Sequence, residues 1–216
     1  MTAIRPLSSY ALVVWDWNGT LLDDLALALD VANGMLARRG RPTMDATRYR
    51  DIFDFPVSEY YRRAGFDFEA EPFSILADEF IGEYNRRVRE CSLHADAADV
   101  LAAIAATSTR QAILSASEAE SLAAAVAGYG IGGFFERLQG LDDHFAVSKR
   151  GAGQRLLDDL SITPADAVII GDTTHDYEVA GELGMDVVLV AAGHQSRRRL
   201  SITGAFVVDS IGDIAV

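Results

Sequence analysis

Five short apolar runs constrain this chain more than any other feature. Tyr10-Ala-Leu-Val-Val-Trp15 comes first, and similar runs follow at 111–115, 167–171, 186–190 and 205–208. They are continuous rather than alternating, and rich in β-branched residues. That pattern fits strands buried on both faces, as in a parallel sheet. Helical patterns separate them. Val100, Leu101 and Ile104 share one face of 97–106, and Leu122, Ala125 and Val126 one face of 118–127. Leu156, Leu157 and Leu160 do the same in 150–160, as do Val179, Ala180 and Leu183 in 177–183. This alternation over residues 95–216 predicts an α/β fold with a doubly wound parallel sheet.

Residues 21–92 break the pattern. Leu25, Leu29, Ala32 and Leu36 recur at helical spacing until Gly40-Arg-Pro42 stops them. The stretches 49–55, 57–64 and 73–88 are also helix-like, and no sheet-type run lies among them. The expected organisation is a core domain of residues 1–20 and 93–216, interrupted by a helical cap domain of residues 21–92.

Composition narrows the function. With 216 residues and half of them hydrophobic, the chain has ample material for a core and is not disordered. Lys and Arg number 19 against 32 Asp and Glu, a net charge of -13. Such a chain repels nucleic acid and anionic membranes at long range, so neither is an expected partner. A small phosphorylated ligand stays possible where a local cation or metal meets it. Cys91 is the one cysteine, which fits a reducing compartment. The longest uncharged stretch, 121–135, is too short to span a bilayer, and no secretory segment is visible. The expectation is a soluble, cytoplasmic protein of undetermined oligomeric state.

In open α/β sheets, ligands bind beyond the carboxyl ends of the strands. Reading those ends gives Asp16, Ser115 and Asp172, with Lys149 in the connection ahead of the strand at 167–171. Two carboxylates, a hydroxyl and a lysine suit a phosphate ester bound with Mg²⁺. Asp16 and Asp172 are hard oxygen ligands, and Lys149 is a point charge for phosphate oxygens. The Ser115 hydroxyl and the backbone N–H groups that follow, Ala116 first, complete a phosphate cradle. A carboxylate attacking phosphorus would give an aspartyl-phosphate.

The order of these motifs resembles that of the haloacid dehalogenase-like hydrolase superfamily. Asp16-Trp-Asn-Gly-Thr20 is similar to its first motif and Ile113-Leu-Ser115 to its second. Lys149 is similar to its third, Gly171-Asp-Thr-Thr-His-Asp176 to its fourth, and Leu183-Gly-Met185 to the segment after it. The insertion matches a type-one cap, and the chain is most similar to phosphoglycolate phosphatase-like members. The resemblance implies that Asp16 is the nucleophile, with Asp16, Asn18 and Lys149 as the catalytic set. It implies Mg²⁺ held by the Asp16 side chain, the Asn18 backbone carbonyl and Asp172. Ser115, Ala116 and Lys149 would hold the phosphoryl group. Asp176 would support the metal and Lys149, and Thr20 and Thr173 would brace the loop.

Asn18 departs from the pattern, in which a second Asp protonates the leaving group and then activates water. A carboxamide does neither, and general acid–base help is typically worth ~10²–10⁴ in rate. Three outcomes are open: a substrate with a good leaving group such as an acyl or aryl phosphate, a substitute group such as His175 or a cap residue, or phosphate-ligand binding with little turnover. A metal-independent 2-haloacid dehalogenase is a further alternative, against which the paired acids of the fourth motif argue.

Around these motifs, Trp15 reads as core and Trp17 as a pocket wall. Tyr60, Arg62 and Arg63 are candidate substrate contacts from the cap. His94, His144 and His194 read as surface or loop residues, and Arg197-Arg-Arg199 as an exposed loop or helix end.

Overall fold

The structure is a computed structural model that describes residues 4–141 and 149–216. His144 lies outside the described residues.

The first strand, β1 (Leu12–Trp15), leads into a two-residue strand, β2 (Leu22–Asp23). Four helices follow: α1 (Leu25–Arg38), α2 (Ala46–Ile52), α3 (Val57–Ala64) and α4 (Phe73–Arg87). The chain returns through β3 (Ser92–Leu93), which pairs antiparallel with β2, so the two form a narrow neck below the four helices. It continues through α5 (Ala97–Ala105), β4 (Arg110–Glu118), α6 (Ala119–Gly128), β5 (Arg137–Leu141) and α7 (Lys149–Leu160). The last elements are β6 (Ala167–Gly171), α8 (Thr174–Leu183), β7 (Asp186–Val190), α9 (Arg197–Ile202) and β8 (Phe206–Val208).

Six strands form one sheet in the order β5-β4-β1-β6-β7-β8, and every pairing is parallel. The period-two geometry of β1 explains its unbroken apolar sequence. Val13 and Trp15 pack in one cluster with Leu101, Ile104, Leu122 and Val126 of α5 and α6. Leu12 and Val14 face the other way, against Leu156, Leu157, Val179 and Ala180 of α7 and α8. Each fully buried aliphatic side chain of this kind contributes about 1.5–3 kcal/mol. Both faces are covered, as a doubly wound sheet requires.

The strand β5 was not expected from the sequence. It is an outermost strand of partly buried residues, and Arg137-Leu-Gln-Gly-Leu141 has none of the β-branched density that marks a central strand. The run at 111–115 also extends, as β4, to Glu118.

The four inserted helices have a core of their own, built around Met35, Leu36, Tyr49, Tyr60 and Leu76. They are tied to the sheet at the loop after β7. Arg50 donates to the carbonyls of Ala192 (2.8 Å) and Gly193 (3.0 Å), and Gln195 donates to the Phe53 carbonyl (3.0 Å). The expectation of an exposed helix end holds for Arg197 and Arg198, which are exposed at the start of α9, and is corrected for Arg199. Arg199 donates to the carbonyls of Asp51 and Phe53 and pairs with Asp54 at 3.2 Å, with its side chain only 16% exposed. Arg198 pairs with Asp51 at 3.2 Å and Arg197 with Asp209 at 2.5 Å. The cause is charge matching: the end of α2 presents acidic side chains and unpaired carbonyls to the start of α9. Arg199→Ala is expected to cost about 1.5–3 kcal/mol of local stability. Hydrogen exchange should then accelerate at the amides of 46–55 while those of β1 and β6 keep their protection.

Candidate active site

The register of the sheet brings the strand ends together. Trp15 of β1 lies beside Ile170 of β6, so Asp16 and Asp172 emerge one residue beyond neighbouring strands. The Asp16 N–H donates to the Ile170 carbonyl at 2.8 Å, which holds the first turn past the strand. One carboxylate oxygen from each of Asp16, Asp172 and Asp176 falls within 4.8 Å of the others. Asp176 reaches the group because Thr173 and Asp176 form a capping box at the start of α8.

Lys149 opens α7 and is buried against this cluster. Its Nζ lies 2.5 Å from Asp16 Oδ1 and 2.5 Å from Asp176 Oδ1. Thr20 donates to Asp172 Oδ1 at 3.2 Å, and the His194 N–H to Asp172 Oδ2 at 2.5 Å. Thr173 donates to Asp176 Oδ2 through both its N–H (3.0 Å) and its hydroxyl (2.7 Å). Each sequence-predicted acid, the lysine and both threonines therefore meet at one edge of the sheet. Ser115 and Ala116 line the same cavity, with Trp17 as part of its wall.

Farther along the chain the N–H groups have partners within the chain: Ser117 N–H donates to Ser115 Oγ (3.0 Å), and those of Glu120 and Ser121 to the Glu118 carboxylate. Glu118 caps α6 with its own side chain, so this helix start is already satisfied.

The charges are unbalanced. Burial pushes the Asp16 carboxyl up to about 7; Lys149 opposes the shift, and Asp176 and Asp172 add to it. Burial likewise raises Asp172 to about 6, against the pull of His194. Asp176 is held below the usual carboxylate range, because Lys149 and Thr173 outweigh its burial. Three carboxylates thus share one ammonium, and a cation would supply the missing positive charge.

The backbone also runs close beside these acids. A Cβ added at Gly19 would lie 2.5 Å from His194 Cδ2 and closer still to Asp172 Oδ2, and one at Gly193 would lie 2.6 Å from Asp172 Cβ. Two glycines therefore let backbone pass directly beside a buried carboxylate. Hard oxygen donors in such a cradle suit Mg²⁺. Gly19 also has φ +75, which favours glycine. Gly19→Ala is expected to destabilise by about 2–4 kcal/mol through strain and overlap. A fall of about 4–16 °C in thermal midpoint checks this.

Asn18 sits under the inserted helices. Its amide nitrogen donates to Asp24 Oδ2 (3.0 Å) and to the Tyr84 hydroxyl (2.7 Å), and its oxygen accepts from Ser117 Oγ (2.8 Å). Tyr84 donates to Asp24 Oδ2 at 2.5 Å.

The model of the haloacid dehalogenase-like hydrolase family matches residues 13–190. The chain belongs to this family. As a haloacid dehalogenase-like hydrolase it is 26% identical over 192 residues to a phosphoglycolate phosphatase of Synechococcus elongatus, covering 87% of each chain. Its fold matches a haloacid dehalogenase-like family protein of Streptococcus pneumoniae with a TM-score of 0.81, at 20% identity over 94% of this chain and 95% of that one. It also matches CbbY from Rhodobacter sphaeroides, solved in complex with phosphate, with a TM-score of 0.72, at 17% identity over 94% and 96%.

This hydrolase carries residues at the site that the sequence reading missed. His194 was expected at the surface, yet it is buried, with Nε2 3.1 Å from Asp24 Oδ1 and Nδ1 3.0 Å from the Tyr49 hydroxyl. Its imidazole is raised to about 9: burial opposes the shift, and the Asp24 carboxylate outweighs it. His94 is a half-buried loop residue with Nε2 3.2 Å from the Gly19 carbonyl. The signal for His194 was present, since the strand-end rule applied to Val190 places the loop 191–195 at this edge. Of the proposed cap contacts, Tyr60 lines the cavity. Arg62 bonds Glu59 and lies over the Phe68 ring, while Arg63 bonds Asp54 at 2.7 Å, so both are engaged elsewhere. His175 lines the cavity and stacks on Phe55 at 4.8 Å. Among the described residues, no helix is long and apolar enough to cross a membrane.

Proposed function

We propose that this chain is a Mg²⁺-dependent phosphomonoester hydrolase that forms an aspartyl-phosphate on Asp16. The observation that carries this reading is the group of three buried acids with oxygens within 4.8 Å, clamped by Lys149 at the mouth of a cavity roofed by the inserted helices. Similarity to a phosphoglycolate phosphatase supports phosphoester chemistry.

Mg²⁺ would be held by Asp16, Asp172 and the Asn18 backbone carbonyl, and when bound it supplies positive charge beside the transferring phosphoryl group. Asp172 is fixed for that task by Thr20 and the His194 N–H. Lys149 keeps Asp16 oriented and offers its charge to a phosphoryl oxygen, while Ser115 and Ala116 flank that position. The free Asp16 oxygen attacks phosphorus. The P–O bond to the leaving group breaks, and its electron pair departs with the oxygen. Water then adds to phosphorus, its protons leave on the released phosphate, and the carboxylate of Asp16 is restored. The inserted helices shield the first transfer from water. Asn18 hydrogen-bonds at the site and transfers no proton, so the departing oxygen leaves as an anion and takes its proton from solvent after release.

The substrate is a small phosphorylated compound, since a net charge of -13 disfavours nucleic acid and anionic membranes. The unpaired Cys91 suits a reducing, cytoplasmic setting. Phosphate release from a panel of small phosphate esters tests the reading: it should require Mg²⁺, stop with a chelator and resume on adding excess metal. Halide release from 2-haloacids that ignores chelators would instead establish a dehalogenase. A second reading, binding of a phosphate ligand with little turnover, is favoured by Asn18 alone.

A further inference from the structure

We propose that the substrate is an aryl phosphate whose ring bears a neutral polar substituent bound by the Tyr60 hydroxyl. This rests on the hydrolytic reading above and narrows it to a substrate class.

Three observations converge. The first is the character of the cavity beyond the acids. It encloses about 300 Å³ and is walled by rings, among them Trp17, Phe53, Phe55, Tyr60, Phe80 and Tyr84. The rings are packed against each other, with Phe53 5.3 Å from Tyr60 and 5.4 Å from Tyr49. Such walls favour a flat apolar group, which gains tilted and stacked ring contacts beyond its burial.

The second is charge. Among the described residues, Lys149 is the one lysine or arginine lining the cavity, and it is committed to Asp16 and Asp176. Both ring nitrogens of His194 are engaged, by Asp24 and Tyr49. Arg50, Arg62 and Arg63 bond to groups away from the cavity. A leaving group with its own carboxylate would lie near Asp24 and Glu118 with no lysine or arginine free to meet it, His175 being the remaining basic side chain of the lining. A buried unpaired charge is strongly disfavoured. The cavity therefore discriminates against phosphoglycolate itself, despite the relative that acts on it by name.

The third is an orphaned polar atom. Among the described residues, the Tyr60 hydroxyl is the buried side-chain nitrogen or oxygen with no hydrogen-bond partner. Tyr60 is 2% exposed and lines the cavity. Leaving such a group unpaired destabilises the fold, so a ligand that supplies its partner gains a matching advantage. Asn18 fits the same answer. A phenol ionises near 10, so a phenoxide leaves without a proton donor, whereas an alkoxide needs one.

The test separates binding from turnover. Calorimetry with Mg²⁺ present compares three phosphonates: benzylphosphonate, para-carbamoyl-benzylphosphonate, and phosphonopropionate, which mimics the carboxylate-bearing ester. Benzylphosphonate should bind roughly tenfold or more tightly than phosphonopropionate. The carbamoyl group should add about threefold to tenfold in wild type and nothing in Tyr60→Phe, while plain benzylphosphonate binds both proteins alike. Equal or tighter binding of phosphonopropionate, or binding of none of the three, overturns the proposal. A carbamoyl gain that persists in Tyr60→Phe, or is absent from wild type, overturns the role of Tyr60. Phosphate release from phenyl phosphate and phosphoglycolate is measured alongside. If neither ester is hydrolysed while benzylphosphonate binds as stated, the hydrolytic reading falls and the assignment of the cavity stands.

Discussion

Asp16→Asn is expected to lower Mg²⁺-dependent phosphate release by about 10⁵–10⁶-fold, the scale seen when a covalent nucleophile is removed. The substitution keeps the size of the side chain and an oxygen that can accept from Lys149 Nζ, now 2.5 Å away. Thr20, Thr173, Asp172 and Asp176 keep their bonds to one another, so the fold should survive. What disappears is the carboxylate that attacks phosphorus, and an amide oxygen is too weakly basic to replace it. Phosphate release from phenyl phosphate measures the loss, and circular dichroism controls for folding. Residual activity within tenfold of wild type would mean that water attacks the ester directly and that Asp16 is only a ligand.

Asn18→Asp is the second large effect. Turnover of alkyl phosphates should rise by about 10²-fold, and turnover of aryl phosphates should change by no more than about threefold. The neighbours explain why the introduced group would act as an acid. Asn18 Nδ2 lies 3.0 Å from Asp24 Oδ2, and Asp24 is held ionised because His194 and its hydrogen bonds outweigh its burial. Two carboxyl groups at that distance cannot both carry charge at neutral pH, so one keeps a proton. That proton is what a departing alkoxide lacks in the native protein. The ratio of the two kcat/KM changes is the readout. Equal gains for both ester classes would show that Asn18 limits a step common to them, such as attack by water. No gain for alkyl phosphates would show that the missing proton donor at position 18 does not limit their turnover.

The core and its acids were legible in the sequence for a simple reason. A strand buried on both faces must be continuously apolar, so the first polar residue marks its exposed end. Asp16 and Asp172 follow directly from that, and Lys149 from its place before a helix. What stayed hidden depends on contacts between segments far apart in the chain. Asp24 follows a two-residue strand too short to show periodicity, and its partners Tyr84 and His194 lie 60 and 170 residues away. Arg199 looks like any surface arginine until the end of α2 is set beside it. The strand β5 is an edge, and burial there is too slight to leave an apolar run. Asn18 was visible as a departure from the family pattern, but its bonds to Asp24, Tyr84 and Ser117 were not.

Acids from the ends of β1 and β6 are expected to share one divalent ion with a phosphoryl group. Crystals grown with Mg²⁺ and inorganic phosphate address it most directly. One ion is expected at about 2.1 Å from a carboxylate oxygen of Asp16 and one of Asp172, with phosphate between it and Lys149. Phosphate bound at Lys149 with no ion between those carboxylates, or an ion held at another place, would contradict it.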